Sequence, residues 1–311
     1  LGEIFRGRRG RRAVCGLCRG GGCRRRRRGG TARGGTSRGG LPEQQPHLHE
    51  VAVRLPPDMG GDSHLPCREV DARGEGLRIM TEAREAGFLP EMLFRVKDRP
   101  VHVLEIALED EVLRNGGDVI ETSAEIMAKL SGKDNAQAVV GVYRDHGTAL
   151  ADIERATAPI WLVAQAMRDP GNLGTMLRTG DAVGAGGLIL IDDCTDPFSV
   201  EAVRASMGAV FTQKIVQCRW DEFMTWLRAG DGQLVGTSLQ TDTDYQAAHY
   251  SSPCFILTGN EAQGLPDDYE GQCDLLVKMP MHGKADSLNA AVATAVMAYE
   301  VLNQFRHSKV R

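Results

Sequence analysis

Three short segments carry the residue types that could do chemistry. They are Arg168-Asp-Pro-Gly-Asn172-Leu-Gly-Thr-Met-Leu-Arg178, Leu257-Thr-Gly259-Asn-Glu261-Ala-Gln-Gly264, and Met279-Pro-Met-His-Gly-Lys-Ala-Asp-Ser287-Leu-Asn289. The middle one is a loop with glycine at both ends and a carboxylate between them. The outer two pair carboxamides with an arginine or a serine. Such groups orient a polar substrate and steady developing charge. Glycine and small polar residues at the ends of apolar runs make a cradle for a small molecule. Asn172 is a good helix N-cap residue. Arg178, six residues on, is expected near the same face, so that 172, 174–175 and 178 line one edge. The first segment alone also reads as a capped helix with a surface arginine. His282 lies in the third segment and is a further candidate.

The elements that must position these loops follow from the apolar pattern. Short buried runs suit strands at Ile160–Ala166, Leu188–Ile191, Lys214–Val216, Leu234–Ser238, Cys254–Leu257 and Leu275–Lys278. Helical stretches at Leu173–Val183, Ser199–Met207 and Asp221–Arg228 lie between them. Leu288, Val292, Ala295, Val296, Tyr299 and Leu302 recur at helical spacing, which predicts a long closing helix with that stripe as its apolar face. Strand–helix alternation predicts α/β, with a mainly parallel six-stranded sheet covered on both faces. Ligands in such sheets bind outside the carboxyl ends of the strands, where the glycine loops fall. Upstream, a smaller α/β unit is expected over 71–145. It has helices around Leu77–Ala83 and Val103–Leu113, strands at Met92–Val96, Val119-Ile120 and Ala138–Tyr143, and a helix opened by a Thr122/Glu125 capping box and running through Leu130. The expected division is a tail and linker over 1–70, the small unit over 71–145, a linker over 146–159, and a second domain over 160–311.

Composition narrows the classes. The 311 residues carry a net charge of −4, but residues 1–40 hold 13 arginines and one acid, while the remainder holds 24 basic and 40 acidic residues. The body is therefore acidic, and any nucleic-acid contact needs a local basic patch. Residues 1–46, mostly glycine and arginine, cannot bury a core and are expected to be disordered. Cys15, Cys18 and Cys23 look like half a zinc site, but no second half follows, so no metal is expected. No apolar run reaches the ~18 residues of a membrane span. Eight scattered cysteines without a secreted framework point to reduced thiols in the cytoplasm. The dinucleotide fingerprint is missing its last glycine at Gly184-Ala-Gly186-Gly-Leu-Ile189, and no phosphate-binding P-loop exists.

In order and spacing, the three segments resemble the signature motifs of the SpoU (TrmH-type) branch of the SPOUT RNA 2′-O-ribose methyltransferases. Asp196–Gly208 resembles a stretch of the rRNA-directed members, and the small unit resembles that family's substrate-binding domain. The resemblance implies a carboxyl-terminal trefoil knot, S-adenosylmethionine as cofactor, an RNA substrate (rRNA rather than tRNA), and a homodimer with a shared active site. It implies cofactor contacts at Gly259, Met279 and Leu288, with Thr237 a lesser candidate. It also implies a catalytic set of Arg178, Asn172, Glu261, Ser287 and Asn289. In that set Arg178 holds a phosphate and stabilises the alkoxide, the two asparagines place the ribose, Ser287 fixes its loop, and Glu261 orients a neighbour or caps its own loop. Arg168 and Arg204 are candidate phosphate contacts. A tRNA target, a non-enzymatic RNA-binding relative and an unrelated nucleotide-dependent α/β enzyme are the alternatives.

Overall fold

The computed structural model describes residues 4–7, 13–14, 72–131, 137–144 and 146–308. Cys15, Cys18 and Cys23 lie outside these residues. Of 1–46 only β1 (Ile4–Gly7) and β2 (Ala13–Val14) are described, as short paired strands.

The small unit comprises β3 (Ala72–Glu75), α1 (Leu77–Glu85), β4 (Met92–Val96), α2 (Val103–Arg114), β5 (Asp118–Thr122), α3 (Ala124–Ser131) and β6 (Val139–Tyr143). Its sheet runs β2-β1-β5-β4-β6-β3. β4 and β5 are parallel, while β6 is antiparallel to both β4 and β3. One expected signal shifts by a residue. Thr122 ends β5, and Ser123 caps α3 by accepting a hydrogen bond from the Ile126 amide. Thr122 is buried in the sheet, so its hydroxyl is not available for the cap.

The connection 146–159 is tied down at several points. Thr148 donates its amide to Ile215 in the second sheet. The Arg155 guanidinium lies 4.0 Å over the Trp226 ring and donates to the carbonyls of Trp226, Leu227 and Asp231.

The second sheet is wholly parallel, in the order β12-β10-β11-β7-β8-β9. Its elements are β7 (Ile160–Gln165), α4 (Pro170–Val183), β8 (Gly187–Ile191), α5 (Val200–Ser206), β9 (Lys214–Cys218), α6 (Trp220–Arg228), β10 (Gln233–Thr237), β11 (Cys254–Thr258), α7 (Asp267–Glu270), β12 (Leu275–Val277) and α8 (Ala290–Ser308). Every residue of β7, β8 and β11 is buried, as expected for central parallel strands covered on both faces. The apolar runs are therefore continuous rather than alternating.

Two helices depart from expectation in ways that matter below. α4 is capped by Asp169, whose Oδ1 accepts from the amides of Gly171 and Asn172, with Pro170 at the first helical position. Asn172 is thus inside the helix, and its side chain is free for other work. On α8 the expected apolar stripe is not the buried one. Leu288, just before the helix, and Val292 and Tyr299 on it are 40%, 47% and 54% exposed, while Ala291, Thr294, Met297, Ala298 and Val301 are buried. α8 is apolar on nearly every side, so periodicity could not choose its inner face. The small alanines let it approach α4, β7 and β11 closely.

Candidate functional site

The three loops meet at the carboxyl edge of the parallel sheet. Gly259 follows β11 directly, and its loop doubles back so that Asn260 and Gly264 form a bridge. A Cβ on Gly259 would collide with the Gly264–Leu265 backbone. Gly264 itself has φ +72, a conformation that favours glycine. Both glycines are therefore demanded by the turn.

Beside this loop lies a cavity of about 440 Å³. Gly259, Met279, Leu288 and Thr237 all line it, as do Glu261 and Ser287. Its walls combine apolar side chains such as Leu265 and Val277 with carboxylates at Glu261, Asp267, Glu270 and Asp286. Volume and lining suit a small organic cation with an apolar body.

The catalytic candidates divide into two groups. Asn289 Nδ2 donates to Asn172 Oδ1 at 2.9 Å, and Asn172 Nδ2 donates to Glu261 Oε1 at 2.7 Å. One residue from each loop thus joins a single hydrogen-bonded chain. Asn289 Oδ1 also accepts from the Ala291 and Val292 amides, so the same side chain caps α8. Glu261 orients Asn172. The loop is closed instead by Asn260, whose Oδ1 accepts from the Ala262 amide. Ser287 is exposed and donates only weakly, at 3.5 Å, to Asp286.

Arg178 stands apart. It is exposed, whereas Asn172 is 8% exposed, and neither side chain lines the cavity. Six residues turn a helix by about 600°, a third of a turn short of two full turns, so the two side chains leave α4 on different faces. The single edge expected for 172–178 is not formed. Gly174, between them, packs against α5, where a Cβ would strike Ala202, Ala205 and Ser206. Arg168 remains exposed, 4.0 Å from Asp193. Arg204 pairs with Glu75, and its side chain is 32% exposed. His282 is exposed and outside the cavity lining.

Several contributors were missed in the sequence. Asn260 Nδ2 donates to the Ala166 carbonyl at 2.8 Å, tying the second loop to the end of β7. Thr258 and Thr294 share a buried 2.8 Å hydrogen bond between β11 and α8, and Thr294 also donates to Ala290. No local pattern announces either. Asp169-Pro170 did carry a readable signal, an N-cap residue followed by proline at the first helical position. Near the cavity, Tyr269 stacks on Trp220 at 3.9 Å and donates to Asp192. Burial, that hydrogen bond and nearby carboxylates push the Tyr269 hydroxyl up to about 12. It is therefore a donor and not a base at neutral pH.

Residues 159–299 match the SpoU rRNA Methylase family, and residues 74–141 match the MRM3-like substrate binding domain. The chain is 29% identical over 228 residues to the 23S rRNA (guanosine(2553)-2'-O)-methyltransferase RlmP of Bacillus subtilis, covering 73% of this chain and 86% of that protein. It is 32% identical over 212 residues to the 23S rRNA (uridine(2479)-2'-O)-methyltransferase of Streptomyces viridochromogenes, covering 66% and 69% respectively. Among solved structures, the AdoMet-bound rRNA methyltransferase from Sinorhizobium meliloti superimposes with a TM-score of 0.70 at 35% identity, over 75% of this chain and 87% of that one.

Proposed function

The chain belongs to the SpoU rRNA methylase family, and from that premise we propose that it is an S-adenosylmethionine-dependent RNA 2′-O-ribose methyltransferase acting on large-subunit rRNA. The observation that carries this is one hydrogen-bonded chain, Asn289 to Asn172 to Glu261, which joins all three segments beside a cavity lined by the second and third. The cavity fits the cofactor by its donor set. Carboxylates at the rim suit a positively charged sulfonium and ammonium, and Leu265, Val277 and Met279 offer apolar wall. When bound, S-adenosylmethionine supplies an activated methyl group.

The chain's own residues do the rest. Gly259, Met279, Leu288 and Thr237 hold the cofactor. Each carboxamide nitrogen in the Asn289–Asn172–Glu261 chain uses one N–H within the network and keeps a second for the ribose oxygens. An in-line transfer gains much of its rate from such orientation. The 2′-hydroxyl must lose its proton as it attacks. Arg178, always protonated, anchors the neighbouring phosphate and stabilises the alkoxide.

Because Arg178 leaves α4 away from its own cavity, the reading includes a homodimer in which it serves the second copy's site. The exposed apolar surface of Leu288, Val292 and Tyr299 supports that assembly, since such patches mark interaction sites. α8 returns to α4 after β12 has crossed to the sheet edge beyond β10. That path is the one a carboxyl-terminal trefoil knot would take. Cys194, Cys218, Cys254 and Cys273 are unpaired thiols, which suits a reducing cytoplasm, and among the described residues no helix is long and apolar enough to cross a membrane. The test is transfer of labelled methyl from S-adenosylmethionine to 23S rRNA and to tRNA. Label on ribose 2′-oxygens of 23S rRNA is expected. Label on tRNA alone would move the target, and none on either would overturn the assignment.

A further inference from the structure

The stretch 196–211, between β8 and β9, places no side chain in the cavity lining. It packs against α4 and also against β3 of the small unit. Arg204 on α5 pairs with Glu75 at the end of β3, whose side chain is only 3% exposed. The other Glu75 oxygen is buried without a hydrogen-bond partner. Gly208, at φ +99, lies against Glu82 of α1, where any Cβ would clash. Phe198 and Phe211 complete a ring cluster with Phe88, Tyr143 and His146, with centroids 4.7–5.7 Å apart. His146 Nε2 meets the Val210 carbonyl at 2.8 Å, so in the neutral ring the proton sits on Nε2. One charged, one steric and one aromatic contact thus converge on the same fifteen or so residues.

We propose that 196–211 is the docking platform of the small unit, and that Arg204 and Glu75 are positioning residues that set how far that unit stands from the cavity. This rests on the reading that the small unit presents RNA. A buried carboxylate that loses its only cation costs far more than the pair contributes, so the contact acts as a latch. While it is closed, RNA held on the small unit reaches the cavity in one register. Arg204 therefore acts on RNA through Glu75.

The test uses the full chain in four forms: Arg204→Glu, Glu75→Arg, the double reversal, and Arg204→Lys. Hydrogen exchange at residues 74–77 is followed without RNA, together with S-adenosylmethionine affinity and the KM and kcat for 23S rRNA. The single reversals are expected to speed exchange and raise the RNA KM by about tenfold or more, with cofactor affinity within about twofold of wild type. The double reversal and Arg204→Lys are expected to recover most of both losses. Unchanged exchange in the single variants, a double no better than its parents, or loss of cofactor binding alongside RNA binding would each overturn the proposal. If the wild-type chain transfers no methyl group, the exchange data still decide the docking while the functional reading fails by itself.

Discussion

The cavity and the outer face of α4 and α8 are built from the same segments, yet they differ in closure. At the cavity, the polar groups of three loops satisfy one another inside one chain: Asn289 to Asn172, Asn172 to Glu261, Asn260 to Ala166. On the outer face, Arg178 on α4 stands exposed, as do Val292 and Tyr299 on α8. The contrast suggests a chain that is finished for binding a cofactor and unfinished for catalysis. Binding needs only groups already held in place, while in the proposed homodimer the catalytic arginine would reach a ribose from a second copy.

The sharpest way to break that contrast is Arg178→Ala. Turnover on 23S rRNA should fall about 10²–10³-fold, the cost of removing one charge-stabilising group, with cofactor affinity unchanged. Equal loss of both, measured by calorimetry beside methyl transfer, would place Arg178 in its own cavity. Next comes Val292→Asp. The residue is already half in water, so the single chain should fold within about 0.5 kcal/mol of wild type. Sedimentation should show a monomer, with methyl transfer reduced about as far as in Arg178→Ala. A monomer of full activity would remove the shared site.

Beside the cavity, Asn172→Ala strips Glu261 of its donor and Asn289 of its acceptor. A loss of about 10–100-fold in kcat is expected, from misplacement of the ribose, with a smaller effect on KM. Thr294→Val, nearly the same in size, leaves the buried Thr258 hydroxyl without its partner. It should cost about 1–3 kcal/mol in denaturant unfolding and leave the outer face intact.

The smallest expected effect concerns pH. Burial pushes Cys254 up to about 12, Cys218 and Cys273 up to about 12, and Cys194 up to about 11. An unfolded thiol titrates near 8.5. Between about pH 8.5 and 11 the folded chain therefore binds more protons than the unfolded one, and stability falls as pH rises through that range. Below about pH 7 the thiols should contribute almost no slope, and they should react with a disulfide reagent far more slowly in the native chain than in denaturant.

The succession of strands and helices in the second unit was legible because the central strands β7, β8 and β11 are short, buried, largely apolar runs. Gly259, Glu261 and Asn289 were legible as chemistry because their loops interrupt those runs. What could not be read was direction. α8 is apolar all round, so Tyr299 and Val292 looked like core. α4 begins at Asp169, so Asn172 turns inward and Arg178 outward. Arg204 looked like a free cation because its partner, Glu75, lies 129 residues away. Contacts at that separation leave no local periodicity.

The division between a complete cofactor cavity and a borrowed arginine is tested most directly by mixing two inactive proteins. Arg178→Ala keeps its cavity. Gly259→Val fills the turn that shapes the cavity but keeps Arg178. After the two are unfolded and refolded together, random pairing should yield mixed dimers with one intact site each and about a quarter of wild-type methyl transfer. A mixture as inactive as its two components would mean that each chain uses its own Arg178, and the account would be wrong.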